Sequence, residues 1–166
     1  MRTRRQAVRQ PEPAIRGSHS LMLSDVEIVQ AFFEAIYRLD FDAAIEFLTE
    51  DASYHDLPLP TDPTVGKDAI RHKLDFMIAG GVTSMDYEIR HILGGGDTVL
   101  VERTETWHFP SGATPTLRVM CAIELEDDKI AAWREYWNGE ELMSQMPPEF
   151  FEGVERVSAD GDERAT

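Results

Sequence analysis

Five polar residues fall where strand alternation turns them toward apolar faces, and their types suit acid–base chemistry. Across residues 99–109, V-L-V-E-R-T-E-T-W-H-F, the odd positions Val99, Val101, Arg103, Glu105, Trp107 and Phe109 share one face. Tyr54 and Asp56 share a face of a short strand ahead of Pro58, and Glu135 sits between Trp133 and Trp137 on a third. Charged groups go inside only when paired or at work. One reading is structural: an Arg103–Glu105 ion pair that fixes the register of a sheet. The other is chemical. Three carboxyls, an arginine and a tyrosine converging in a dry pocket would raise one carboxyl pKa by burial and mutual repulsion, while the arginine keeps another ionised. Such a pocket holds a proton donor beside a proton acceptor. No other set competes. His55, His91 and His108 fall on separate strands without ligand spacing, so no metal or other cofactor is expected. No Ser-His-Asp or Cys-His pattern is present, and Cys121 alternates with Val119 and Ile123 as a small core residue.

The elements that must position these groups follow from periodicity. Ser24-Asp25-Val26-Glu27 has capping-box spacing, and Val26, Val29, Phe33 and Ile36 continue it as a helix of about four turns. A shorter helix fits residues 41–48. Pro58, Pro60 and Pro63 stiffen a loop, and a third helix fits 66–79, stopped by Gly80-Gly81. The period then switches to two. Met85, Tyr87, Ile89 and His91 alternate, Gly94-Gly95-Gly96-Asp97 turns the chain into the Arg103 strand, and Pro110-Ser111-Gly112 turns it out. Leu117–Leu125 alternates, and Asp127-Asp128 leads into the last strand, 129–138. Three helices followed by four antiparallel strands predict an α+β fold, a cone of strongly curved sheet with helices on one face and a pocket inside.

Composition narrows the function classes. The chain has 166 residues and a net charge of −15, yet residues 1–20 hold five arginines and one acid. A body that acidic repels phosphate backbones, which argues against nucleic acid as a partner. No apolar run approaches the length needed to span a bilayer, so no membrane partner is expected. The single cysteine excludes an intramolecular disulfide framework and fits a reducing, cytoplasmic setting. Residues 1–21 read as a disordered basic leader without the apolar core of a secretory signal, 22–150 as a single domain, and 151–166 as a flexible acidic tail.

Over residues 24–145 the sequence resembles the limonene-1,2-epoxide hydrolase family, within the cone-shaped group related to nuclear transport factor 2 and SnoaL-like proteins. T-E-D-A-S-Y-H-D-L-P-L-P, G-K-D-A-I, E-R-T-E and I-A-A-W-R-E-Y-W carry the resemblance. It implies a one-step attack of water on a small or medium apolar epoxide, without a covalent intermediate or a cofactor, in a homodimer. Carried across by motif, Glu135 would deprotonate water held by Tyr54 and Asp56. Glu105 would protonate the epoxide oxygen, Arg103 would bridge the two glutamates, and Trp107, Phe109, Trp133 and Trp137 would wall the pocket. The chain departs from the family at three places, with glutamate for aspartate at 105 and 135 and aspartate for asparagine at 56. Two alternatives stay open on the same cone: an isomerase or polyketide cyclase with a carboxylate base, and a non-catalytic binding module.

Overall fold

The structure, a computed structural model, describes residues 23–163, with side chains through 156. The expected leader lies outside the described residues. Helix α1, Asp25–Tyr37, starts at its capping box: the Ser24 hydroxyl accepts from the Glu27 N–H at 3.3 Å, and the Glu27 carboxylate accepts from the Ser24 N–H at 2.7 Å. Its inward stripe, Ile28, Val29, Phe32, Phe33, Ile36 and Tyr37, is buried. Helix α2, Phe41–Ile45, ends earlier than the expected 41–48, because Leu48 already opens strand β1, Leu48–Asp56. The Phe47 carbonyl accepts from Ile130 N–H at 2.8 Å, and the Lys129 ammonium donates to the Glu46 carbonyl. A strand partner has claimed backbone that local helix preference alone would have kept.

Strand β2 (Thr64–Val65) and helix α3 (Lys67–Ala79) follow, then β3 (Ser84–Gly95), β4 (Thr98–His108), β5 (Thr116–Glu126) and β6 (Lys129–Tyr136). The three helices therefore do not form one N-terminal block; β1 and β2 come between α2 and α3. The six strands make one curled, unclosed sheet in the order β2-β1-β6-β5-β4-β3. All neighbours are antiparallel except β1 and β6, which run parallel and set Tyr54 opposite Trp133 and Asp56 opposite Glu135. On β4 the expected inward face is buried from Val99 through Glu105. Asp127 and Asp128 both adopt left-handed backbone, φ 47 and 62, as the tight β5–β6 hairpin demands. Phe32 and Phe33 of α1 press edge-on against Trp133, with ring centroids 5.0 and 6.2 Å away.

After the sheet come α4 (Gly139–Met143) and α5 (Pro148–Glu163). The segment expected as a loose tail is thus helical to residue 163. Its apolar positions Phe150, Val154 and Val157 recur at helical spacing in the sequence, but they stand among so many acids that composition alone reads as a solvated tail. Gly153 seats α5 on the end of α3, where a Cβ would stand 2.1 Å from the Ala79 carbonyl oxygen. A side chain there meets backbone that cannot swing aside. Gly153→Val is therefore expected to lift α5 from α3, seen as faster amide hydrogen exchange across 148–163 while β4 to β6 stay protected.

Candidate active site

Arg103 is the hub of the concave face. It is 2% exposed, and its guanidinium lies 4.4 Å over the Phe33 ring. Its Nε donates to Glu105 Oε1 at 2.8 Å and to the Tyr37 hydroxyl at 2.5 Å, while Nη2 donates to Glu135 Oε1. One planar fork thus holds two buried carboxylates from different strands, a geometry that a point-charge ammonium could not reproduce. Glu105 accepts further from Tyr37 Oη at 2.9 Å and from Trp107 Nε1 at 3.1 Å. Burial works against the arginine's charge, but Glu135 and Glu105 outweigh it and hold the group firmly protonated.

Glu135 joins this hub to a second polar group. Trp133 Nε1 donates to Glu135 Oε1 at 2.9 Å, and the Tyr54 hydroxyl lies 3.3 Å from Oε2. The same hydroxyl donates to Asp56 Oδ1 at 2.9 Å, where Trp137 Nε1 donates too at 3.1 Å. Lys73 of α3 closes the chain, with Nζ 2.9 Å from Asp56 Oδ2 and 4.2 Å from the centre of the Tyr54 ring. Burial pushes the Glu135 carboxyl up to about 7, opposed by Arg103 and reinforced by the charges of Glu105 and Asp56. Burial and neighbouring carboxylates also push the hydroxyls of Tyr37 and Tyr54 above their ordinary range, so both stay protonated donors. Burial raises the Cys121 thiol, opposite Glu135 on β5, to about 12. It therefore keeps its proton at neutral pH and sits in the core, where the strand alternation places it.

These groups open on a mostly apolar cavity of about 620 Å³, a size that takes a small organic molecule. Tyr54, Asp56, Arg103, Glu105, Trp107, Trp133, Glu135 and Trp137 all line it, so strand parity brings eight of the nine anticipated residues together. Phe109 is the exception. It is buried behind the wall, edge-on to Phe150 at 6.3 Å, because β4 ends at His108 and the chain turns away. Sequence reasoning missed Tyr37 and Lys73. Tyr37 follows Phe33 by four residues and so completes the α1 stripe; Lys73 sits between Ile70, Leu74 and Met77 on the inward face of α3. Leu142, Met146 and Phe150 supply the far wall. No three His, Cys, Asp or Glu side chains among the described residues are grouped to hold a metal ion. No helix among them is long and apolar enough to cross a membrane.

The model of the SnoaL-like domain matches residues 29–133, well over half of the chain. The protein belongs to the SnoaL-like domain family. Solved structures agree on the fold. An LEH-like epoxide hydrolase from M. tuberculosis superposes with a TM-score of 0.63 at 23% identity, covering 82% of this chain and 96% of its own. An NTF2-like protein of unknown function from Burkholderia pseudomallei K96243 gives 0.65 at 15% identity, covering 75% and 98%. A candidate polyketide cyclase from Xanthomonas campestris pv. campestris gives 0.60 at 26% identity, covering 74% and 96%. This SnoaL-like domain therefore has the NTF2-like fold, with its buried polar network on the concave face where a small molecule can reach it.

Proposed function

We propose that this SnoaL-like domain hydrolyses a small or medium apolar epoxide to a diol by one-step general acid/base attack of water. The observation that carries the reading is the pair of glutamates held on one arginine at the wall of an apolar cavity. Two cations, Arg103 and Lys73, face three carboxyls, Asp56, Glu105 and Glu135, so the set is neutral when it holds one proton. That is the state the reaction needs. Glu135 takes the proton of a water held by Tyr54 and Asp56, while Glu105 gives its proton to the epoxide oxygen as the C–O bond breaks. The hydroxide of the water forms the new C–O bond, the ring oxygen becomes the second hydroxyl, and the proton on Glu135 restores the one-proton state. Below about 7 that proton rests on Glu135, and the reactive form is the one in which it has passed to Glu105; Arg103, bound to both carboxyls, lets it pass without a change in net charge. Each glutamate is one methylene longer than the aspartate of the resembled family, and the fit of the substrate between them sets which epoxides react.

The pH dependence has a definite sign. The step near 7 at Glu135 is the loss of the last proton from the pair, since the charge of Glu105 helps to raise it. Above it Glu135 has lost that proton and the pair has none to give to the epoxide oxygen. The expected result is a kcat/KM that falls about tenfold per pH unit above about 7. The cyclase or isomerase alternative, in which ionised Glu135 alone removes a proton next to a carbonyl, predicts a rise through the same pH. The direct test is limonene oxide and a set of meso-epoxides in oxygen-18 water, read by mass spectrometry. One labelled oxygen per diol supports hydrolysis. No labelled diol, with exchange of a carbonyl-adjacent proton by NMR, would replace it with the isomerase reading.

A further inference from the structure

Asp56 and Glu135 are cross-strand partners, and both lie against the same Tyr54 hydroxyl, so two buried carboxyls crowd one donor. Like charges that close oppose each other's ionisation unless a cation intervenes. Arg103 is already committed to Glu105 and Glu135. The cation on the Asp56 side comes from another layer of the fold, Lys73 on α3, with its side chain only 25% exposed and its ammonium against both Asp56 Oδ2 and the Tyr54 ring.

We propose that Lys73 is a positioning residue of the acid–base pair: by binding Asp56 it cancels that carboxylate's charge beside Glu135 and holds Tyr54 and Asp56 in place. The groups that face Glu135 are Arg103 and Glu105 of β4, Tyr54 and Asp56 of β1, Cys121 of β5 and Trp133 of its own strand, with Tyr37 of α1 reaching it through Arg103. Cys121, Tyr37 and Tyr54 stay protonated through neutral pH, so the charge balance there rests on two cations and three carboxyls. Taking away Lys73 leaves that balance one cation short, and the network answers by holding its last proton more tightly. Lys73 also ties α3 to the catalytic strands, so its loss would loosen the wall that carries Leu74 and Met77.

The inference rests on the proposed use of Glu135, and the experiment separates the two. Carbon-13 NMR of the glutamate carboxyls in the full chain, without substrate, reads the Glu135 titration directly. Lys73→Met is expected to move it up by about one pH unit, as one lost charge across a partly exposed site would. Lys73→Arg, which keeps the charge, should return it close to the wild-type position. Asp56→Asn should move it down, and Asp56→Asn with Lys73→Met should restore it, because the two opposite charges are removed together. That last comparison still decides if Lys73→Met alone does not fold. A Glu135 titration unmoved by Lys73→Met, or a double variant that stays at the Asp56→Asn position, overturns the role of Lys73. If the titration moves but the alkaline limb of kcat/KM does not follow it, Lys73 stands and Glu135 is not the group that limits hydrolysis.

Discussion

Glu135→Gln is expected to lower epoxide hydrolysis by about 10²- to 10⁴-fold with KM little changed, the range that a positioned proton-transfer group supplies. The amide keeps an oxygen for Trp133 and Arg103 to donate to, so the wall and the substrate contacts survive. On the proposed mechanism, what goes is the capacity to take a proton from water. The same substitution has a second signature, independent of substrate. Glu135 is raised from 4.5 to about 7 in the folded state, so between those values the folded protein holds a proton that the unfolded chain releases. Stability that is present below pH 4.5 is thus lost as pH rises toward 7. Glutamine has no proton to lose, and urea unfolding should show a flatter stability profile across that window. Loss of turnover with the wild-type slope intact would mean that another group titrates there, and that Glu135 merely shapes the pocket.

The polar residues of the site were legible because strand parity is a strict rule. A two-residue period puts Arg103 and Glu105 on one side of β4 and Trp133 and Glu135 on one side of β6 whatever their partners, and burial of all four bears this out. The pairing that unites them was not legible. Nothing local says that β1 runs parallel to β6, so that Asp56 meets Glu135; that depends on α3 carrying the chain away before β3 begins. Sequence separation hid the helical contributions for a related reason. Tyr37 is 68 residues from the Glu105 it donates to, and Lys73 stands in an apolar stripe where a lysine could equally have snorkelled to solvent. The end of α2 turned on a tertiary contact, a backbone bond to Ile130, which periodicity does not encode; α5 was legible in the spacing of Phe150, Val154 and Val157, and only its acidic composition spoke against it.

This geometry also ranks the residues by what their loss would do to the fold, and Arg103 comes first. Arg103→Met keeps much of the stem's apolar packing against Phe33 but leaves Glu105 and Glu135 buried without their cation. Breaking a buried pair from one side costs about 3–5 kcal/mol, more than either member contributes when the pair is intact. The loss should grow with pH, and the sign follows from the linkage. Arg103 holds the Glu135 carboxyl down against burial, so without it Glu135 retains its proton to still higher pH. Below that range Glu135 can enter the fold neutral and the deficit shrinks; above it, folding must either bury bare charge or take up a proton from a dilute supply. Urea unfolding at pH 5 and pH 8 is expected to give a clearly larger deficit at pH 8. The triple variant Arg103→Met, Glu105→Gln, Glu135→Gln should recover part of the lost stability and almost all of its pH dependence while remaining inactive. A deficit equal at both pH values would show that Arg103 acts through its packing on Phe33, and that the two glutamates do not depend on it for their charge.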